Sequence, residues 1–203
     1  MPTTISAYHT NLWAGRTVGL LGGSFNPAHA GHRHISLYAL KNLGLDAVWW
    51  MVSPQNPLKS HRDMAPLKER VASAVQASHH PDILVTDIEQ QLHTRYTADT
   101  LVALQQRYSR TQFIWLMGSD NLQQIHRWQE WQKIFGLMPV AVFDRPPRSI
   151  KSCPALERFR SCLKPQEKAA LIKFEKPPAW TILHIPLNEL SATKIREKRK
   201  LQL

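Results

Sequence analysis

Hydrophobic residues in this chain fall into short, nearly continuous runs that predict β-strands. An uninterrupted apolar run is typical of a strand buried on both faces, as in a parallel sheet covered by helices. The predicted strands lie at residues 17–21, 47–52, 83–85, 113–117, 139–143 and 181–185.

The segments between these strands place apolar residues at helical spacing. Five helices are predicted. The first occupies residues 32–43 and stops at Gly44, the second begins after Pro66, and the third has Thr97 as its N-cap. The fourth lies within residues 120–135, and the last begins at Ser191. Strands that alternate with helices predict the α/β class, with a Rossmann-like, doubly wound parallel sheet and helices on both faces. Ligands of such sheets bind outside the carboxyl ends of the strands, where the strand order reverses.

The alternation is interrupted once, between about residues 145 and 178. This stretch contains six prolines and many basic residues, which predicts an irregular insert. The sequence shows no internal repeat and no low-complexity tract. We therefore expect one domain over residues 1–203, with the basic insert at about 145–178 and a C-terminal helix at about 191–200.

Positive charge is concentrated in the last part of the chain. The sequence has 26 Lys and Arg residues against 15 Asp and Glu residues, a formal net charge of +11. From Arg145 onward there are 14 basic and 5 acidic residues, whereas the preceding residues contain 12 and 10. Such a tail suits nucleic acid, a membrane surface or a small polyanion, and it also suits a solvated basic helix without a partner.

The composition predicts a globular protein of the cytoplasm. Hydrophobic residues make up 43% and charged residues 20%, which favours a folded core over disorder. We expect neither a membrane span nor a secretory signal, because no apolar run is long enough and the first residues lack the signal pattern. Cys153 and Cys162 form no CxxC motif, so we expect unpaired thiols rather than a disulfide scaffold or a cysteine zinc site.

A loop rich in glycine and histidine follows the first predicted strand and precedes the first helix. It runs from Gly22 to His32 with the sequence GGSFNPAHAGH. Glycines let the backbone approach a ligand closely, and N–H groups at a helix start attract anions. His29 and His32 can add imidazole donors for phosphate oxygens. The loop matches neither the Walker pattern nor GxGxxG.

The residues of this loop leave other interpretations open. His29, His32 and His34 could bind a metal ion, although no Asp or Glu stands among them. The histidines could also be incidental surface residues, and the glycines could serve only a tight turn.

A second anion-binding segment is predicted from Leu190 to Arg196, with the sequence LSATKIR. Ser191 or Thr193 can cap a helix whose first turn carries Lys194 and Arg196, so that hydroxyls, N–H groups and a guanidinium converge. An ordinary capped basic helix is the alternative. Because this helix follows the last strand and the glycine loop follows the first, both lie at the carboxyl edge of a parallel sheet. Two anion sites on one edge suit a nucleoside triphosphate.

Together these segments resemble the two signatures of the nucleotidyltransferase superfamily. The glycine loop is similar to the phosphate-binding signature with its HxGH core, here His29 to His32. The second segment is similar to the C-terminal signature usually written ISSTxIR. Class I aminoacyl-tRNA synthetases share the first signature, but they are much longer and have a KMSKS-type loop that is missing here.

Further segments resemble bacterial nicotinate-mononucleotide adenylyltransferases. They begin at Ser53 with SPQNPLK, at Arg95 with RYTADTL, and at Gly118 with GSDNL, which precedes Trp128. With the two signatures, the resemblance covers most of the chain.

Three positions depart from the family pattern. Ser24, Asn26 and Ala192 replace a commoner Thr, Asp and Ser. Ser24 keeps a hydroxyl, whereas Asn26 lacks the carboxylate charge and Ala192 lacks the hydroxyl. The resemblance therefore assigns no role to the last two side chains.

The resemblance implies adenylyl transfer from ATP to nicotinate mononucleotide, which yields nicotinate adenine dinucleotide and pyrophosphate in NAD biosynthesis. A phosphate monoester is anionic at neutral pH and needs no general base, so the enzyme must supply in-line positioning and charge neutralisation. The implied cofactor is Mg²⁺, held by phosphates and water rather than by protein side chains. No nucleic acid or membrane partner is expected, and the oligomeric state stays open.

The resemblance also assigns residues to these tasks. Catalytic roles fall to His29, His32 and Arg196. The residues implied in ATP binding are Gly22, Gly23, Ser24, His29, His32, Gly118, Asp120, Ser191, Thr193 and Arg196. The residues implied in nicotinate-mononucleotide binding are Ser24, Asn56, Lys59, Tyr96, Thr97 and Trp128. Trp128 would stack on the pyridine ring, and N–H groups at the start of the Thr97 helix would receive the carboxylate.

Simpler alternatives stand beside these roles. Asp120 suits a helix N-cap, Trp128 suits core packing, and Lys59 suits a solvated loop. For the whole chain, another adenylyl or cytidylyl transferase of the same superfamily would keep both phosphate signatures but lose the Arg95 segment and Trp128. A basic nucleic-acid-binding protein would explain the net charge but not the HxGH loop.

Overall fold

A computed structural model describes residue 5 and residues 10–54, 64–144 and 152–185 of the chain. The strands are β1 (Thr17–Gly23), β2 (Ala47–Val52), β3 (Ile83–Thr86), β4 (Gln112–Gly118), β5 (Val140–Asp144), β6 (Leu163–Lys164) and β7 (Trp180–His184). The helices are α1 (Ala30–Leu43), α2 (Leu67–Ser78), α3 (Ile88–Gln91), α4 (Thr97–Arg107), α5 (Ser119–Gln124), α6 (Trp131–Leu137) and α7 (Pro154–Arg158). Single 3-10 turns lie at Thr10–Trp13, Ile125–Arg127 and Arg160–Cys162, and a longer 3-10 segment lies at Gln166–Phe174.

The seven strands form one sheet in the order β3-β2-β1-β4-β5-β7-β6, and every pair of neighbours is parallel. From β1 the chain builds outward through β2 and β3, and then returns to place β4 on the other side of β1. The predicted doubly wound α/β fold is confirmed. The strand order reverses between β1 and β4, so a crevice is expected at the carboxyl ends of these two strands.

Each face of the sheet is covered by its own hydrophobic core. One core contains residues of α1, α2 and the 3-10 segment Gln166–Phe174, and the other contains residues of α4, α5, α6 and α7. The adjacent tryptophans Trp49 and Trp50 of β2 belong to different cores and are both fully buried. This alternation follows from the two-residue period of a strand, and it shows why β2 is apolar at every position.

Most predicted elements are confirmed, with strand ends that differ by a residue or two. Gly44 ends α1 in the left-handed conformation, with φ of 61°, as its position in the sequence predicts. The two cysteines are not bonded to each other. None of the described helices is long and apolar enough to cross a membrane.

Three details of the sequence-based prediction are wrong. Thr97 is not the N-cap of α4, because the carbonyl of Tyr96 already accepts the N–H of Thr100 at 3.0 Å and the helix begins one residue earlier. Residues 120–135 are not one helical segment, because the backbone at Glu130 turns left-handed with φ of 48°. Within the basic insert, the two residues of β6 pair with β7 and extend the sheet, a strand too short to produce a periodic signal.

Gly22 leaves space for a tryptophan of the neighbouring strand. A Cβ atom at this position would lie 2.5 Å from the ring of Trp115, which is almost completely buried. Trp128 also contacts Trp115, edge to face, with ring centroids 6.4 Å apart. The ring therefore has little room to move away.

We expect Gly22→Ala to reduce the free energy of unfolding by about 1–3 kcal/mol, the usual effect of overpacking a well-filled core. Gly136→Ala is the matched control, because Gly136 lies in α6 and a methyl group added there would meet nothing within 4 Å. The control should be neutral or stabilising by up to about 1 kcal/mol, since alanine favours a helix. Urea denaturation of both variants measures the difference, and equal effects would contradict the packing argument.

Candidate active site

The carboxyl ends of β1 and β4 form the frame of the candidate site. β1 ends in Gly22-Gly23 and β4 ends in Gly118, so three residues without side chains stand where the strand order reverses. The carbonyl of Gly23 accepts the N–H of Ser53 at 2.9 Å, which ties the end of β1 to the loop that follows β2. The predicted glycine loop therefore begins inside the crevice that the topology creates.

The loop after β1 has a constrained backbone. Phe25 adopts φ of 45°, a left-handed conformation that few non-glycine residues take, and its side chain is buried. The Oδ1 atom of Asn26 accepts the N–H of Ala65 at 3.3 Å, which links this loop to the residues before α2. An amide oxygen makes this bond as an acceptor, so the missing carboxylate charge at position 26 does not prevent it.

His29 and His32 meet at the N-terminus of α1. Their ring centroids are 3.9 Å apart. The Nδ1 atom of His29 accepts the N–H of Gly31 at 3.1 Å, and the Nδ1 atom of His32 accepts the N–H of His29 at 3.2 Å. An imidazole that accepts at Nδ1 carries its proton on Nε2. Each ring is therefore a neutral donor through Nε2–H, and the two rings cap the helix reciprocally.

Aromatic packing holds His32 in place. Its ring lies against Phe25, with centroids 4.7 Å apart, and Phe25 in turn stacks on Trp50 of β2 at 5.2 Å. The indole N–H of Trp50 donates to the Ser36 hydroxyl at 2.7 Å, and that hydroxyl donates to the carbonyl of His32 at 2.9 Å. The position of this histidine is thus set by a strand, a loop and a helix together.

The predicted pyridine site lies on the opposite face of the sheet. Trp128 is half-buried, and its contact with Trp115 places it beside the ring that covers Gly22. Tyr96 is the N-cap of α4 and Thr97 is its first helical residue. α4 packs into the same core as Trp115, so this helix start and Trp128 lie on one side of the β1 end.

The residues predicted to contact adenosine lie where β4 ends. Gly118 is the N-cap of α5, and Asp120 is the second residue of that helix with an exposed side chain. Asp120 is therefore not the N-cap, which removes the simpler alternative for this residue. Its predicted role as an acceptor for a ribose hydroxyl stays a prediction.

Several predicted site residues lie outside the described part of the chain. They are Asn56, Lys59, Ser191, Thr193 and Arg196. β7 ends at His184, at the same edge of the sheet as the glycine loop, and the second signature follows β7 in the sequence.

The profile of the cytidylyltransferase-like family matches residues 20–198 of the sequence. The chain belongs to this family. Among curated relatives, a protein of Cereibacter sphaeroides is 49% identical over 181 residues, which cover 88% of this chain and 95% of the relative. A protein of Rhizobium meliloti is 45% identical over 184 residues, with 90% and 98% covered. Both are named probable nicotinate-nucleotide adenylyltransferase.

Solved structures share the fold of this chain. The nicotinic acid mononucleotide adenylyltransferase of Plasmodium falciparum, complexed with NaAD, aligns with a TM-score of 0.67 over 90% of this chain and 83% of its own. A second structure of that enzyme, complexed with APC, aligns with a TM-score of 0.59. At 17% identity, these similarities establish the Rossmann-like fold.

Two buried carboxyl groups near the carboxyl ends of the strands were not predicted from the sequence. Asp144 ends β5, and its Oδ2 atom lies 3.5 Å from Nδ1 of His184 at the end of β7. Glu89 of α3 is buried and hydrogen-bonds through its side chain with Ser53. In both cases the available signal was a charged residue at or just after the end of an apolar strand, where parallel sheets place their sites.

Burial raises the pKa of Glu89 to about 7, and the hydrogen bond with Ser53 opposes this effect only in part. The folded protein therefore keeps this carboxyl protonated up to a higher pH than the unfolded chain does. Because the folded state binds more protons between these two values, stability is lost as the pH rises from about 4.5 to about 7, and the loss levels off above that range.

We expect Glu89→Gln to remove this loss, because a neutral amide does not titrate. Between pH 5 and pH 8 the wild type should lose on the order of 2 kcal/mol of unfolding free energy relative to the variant. Glu167→Gln, at an exposed position, is the control and should follow the wild type. Urea denaturation across this pH range measures the difference. If the unfolding free energies of the wild type and of Glu89→Gln change equally with pH, Glu89 does not have the raised pKa argued above.

Proposed function

We propose that this chain transfers an adenylyl group from ATP to nicotinate mononucleotide, giving nicotinate adenine dinucleotide and pyrophosphate. The observation that carries this assignment is the identity of 45% or more with curated nicotinate-nucleotide adenylyltransferases over nearly the full length of both chains. The site agrees with it, because a loop and a helix start suited to phosphate lie on one face of the sheet at the end of β1, and a half-buried tryptophan suited to a pyridine ring packs on the other face.

The reaction needs positioning more than proton transfer. An oxygen of the mononucleotide 5′-phosphate forms a bond to the α-phosphorus of ATP, and the bond from that phosphorus to the β-phosphate bridging oxygen breaks. The nucleophile is already anionic and pyrophosphate leaves as an anion, so no general base is required. The protein must align the attacking and leaving oxygens and stabilise charge on the transferring phosphoryl group.

The described residues suit this task on the phosphate side. The Nε2–H groups of His29 and His32 are preorganised donors, because both rings are fixed through Nδ1. The Ser24 hydroxyl and the backbone of Gly22-Gly23 line the same loop, and glycines there permit close approach of the phosphates. We assign the β- and γ-phosphates to Ser191, Thr193 and Arg196, which lie outside the described residues.

On the other side of the crevice, α4 and Trp128 suit the mononucleotide. The first N–H groups of α4 have no partner within the helix and stand at its positive end, which favours a carboxylate. Trp128 offers its exposed part to an aromatic ring. Gly118 permits close approach of the adenosine at the end of β4.

Mg²⁺ is proposed as the cofactor, held by the nucleotide phosphates and water. Among the described residues, no group of three or more His, Cys, Asp and Glu side chains is arranged to hold an ion, so that region offers no preformed cage of protein ligands. A phosphate-bound ion requires none. When bound, Mg²⁺ would neutralise charge on the triphosphate.

We expect His32→Ala to lower kcat by at least about a hundredfold, which corresponds to about 3 kcal/mol for one preorganised donor. Release of pyrophosphate from ATP with nicotinate mononucleotide measures the rate. His34→Ala is the control, because His34 lies in the same helix but is not part of the HxGH pair, and it should stay within about threefold of wild type. Normal turnover in His32→Ala would contradict the mechanism, and equal losses in both variants would favour a shared metal site.

We expect nicotinate mononucleotide to be preferred over the amide form by at least about tenfold in kcat/KM, or about 1.4 kcal/mol. A site of N–H donors at the start of α4 pairs with a carboxylate, whereas an amide presents its own donors and leaves some unpaired. Trp128→Ala should weaken both forms similarly, because stacking does not distinguish the substituent. Steady-state kinetics with ATP or CTP and each mononucleotide tests the assignment. Preference for the amide would contradict the carboxylate site, and use of CTP alone would contradict adenylyl transfer.

A further inference from the structure

A buried arginine joins the loops that surround the candidate site. Arg70, in the first half of α2, is 2% exposed, although arginine is among the residues least often buried. It lies on the same face of α2 as Leu67 and Ala74, at spacings of three and four residues, and so points into the protein with the apolar side of the helix. Burial lowers the pKa of this guanidinium, yet an arginine keeps its charge in a protein.

The described partners of Arg70 are backbone carbonyls. Its Nη1 atom donates to the carbonyls of Ser24 and Ser53, both at 2.7 Å. Its Nη2 atom donates to Pro54 at 2.8 Å, and its Nε atom donates to Ala65 at 2.8 Å. These are short, charge-assisted bonds, and they use the planar arrangement of donors that only arginine has.

The four carbonyls belong to segments that are distant in sequence. Ser24 lies in the loop between β1 and α1, ahead of the two histidines. Ser53 and Pro54 follow β2, and Ala65 precedes α2. One side chain therefore fixes the phosphate-binding loop against both ends of the connection between β2 and α2. The bond from Ala65 N–H to Asn26 and the bond from Ser53 N–H to Gly23 lie beside it and join the same segments.

We propose that Arg70 is a positioning residue for adenylyl transfer, which sets the location of the Ser24 loop relative to the residues that follow β2. This proposal rests on the proposed function. Arg70 is buried and its described bonds go to backbone carbonyls, so its effect is on alignment. In-line transfer is sensitive to small displacements of the groups that hold the phosphates, and loosening this loop lowers kcat even when the fold is intact.

Arg70→Lys and Arg70→Gln in the full chain test the proposal. Lysine keeps the charge but replaces the planar fork with a single ammonium, and glutamine keeps a short donor without charge. Val48→Ala is the matched control, because Val48 is fully buried near the opposite end of β2 and its truncation reduces stability without touching these loops. All kinetics are measured at a temperature where circular dichroism shows each protein folded.

For Arg70→Lys we expect kcat at saturating substrates to fall by at least about tenfold, and for Arg70→Gln by more, while Val48→Ala keeps a kcat within about twofold of wild type. Hydrogen exchange of backbone amides in residues 22–32 should accelerate in the arginine variants and not in the control. If the variants unfold earlier but keep wild-type kcat and exchange, Arg70 serves stability alone and the proposal is wrong. If neither arginine variant folds, Arg70 serves stability and the positioning proposal is likewise wrong.

The two proposals fail in different ways. If wild-type protein releases no pyrophosphate from ATP and nicotinate mononucleotide, the proposed function is wrong. The exchange measurement does not depend on activity, so it still decides whether Arg70 fixes the loop. If wild type is active and exchange in residues 22–32 is unchanged by Arg70→Lys, the positioning proposal is wrong and the function stands.

Discussion

The site depends on the reversal of strand order between β1 and β4. Because all strands are parallel, every connection after a strand leaves from the same edge of the sheet. After β1 the chain turns to α1 on one face, and after β4 it turns to α5 on the other. The two connections therefore diverge and leave a crevice between them. At the end of β1, Gly22 leaves room for the ring of Trp115, and a Cβ atom at Gly23 would lie 3.3 Å from the ring of Phe25.

Aromatic side chains of the sheet pack against the loops and fix their positions. On one face Trp50 supports Phe25 and His32, and on the other Trp115 supports Trp128. Both supporting tryptophans belong to the central strands of the sheet and are buried. Large rings have few rotamers to lose on ordering, so they fix a loop at low entropic cost. The positions of groups at the strand ends are thus set by the core, and loop conformation alone does not set them.

The sequence predicts the order and class of the elements because buried parallel strands produce continuous apolar runs that are hard to misassign. It predicts the histidine pair because the spacing of His29 and His32 at a helix start has a clear chemical meaning. It does not predict Arg70, whose four bonds go to carbonyls from three separate segments. Backbone acceptors have no sequence signature. A charged residue on the apolar face of α2 is the only local sign of that contact. The N-cap of α4 is Tyr96 rather than the predicted Thr97 for a related reason, since a backbone hydrogen bond decides where the helix begins.

Positive charge is distributed unequally between residues 1–144 and the remaining 59 residues of the chain. The glycine loop, residues 22–32, offers neutral donors in the imidazole Nε2–H groups of His29 and His32. Hydrogen bonds and aromatic packing fix the directions of these groups. Residues before Arg145 have nearly balanced charge, with 12 basic and 10 acidic side chains, whereas the rest of the chain has 14 and 5. Neutral, fixed donors suit the transferring phosphate, where alignment matters, because a point charge attracts without selecting a direction. Charge suits the pyrophosphate that leaves, where attraction matters more than direction. Under the proposed function, alignment would fall to the loop that follows β1, and charge compensation to the basic residues after Arg145.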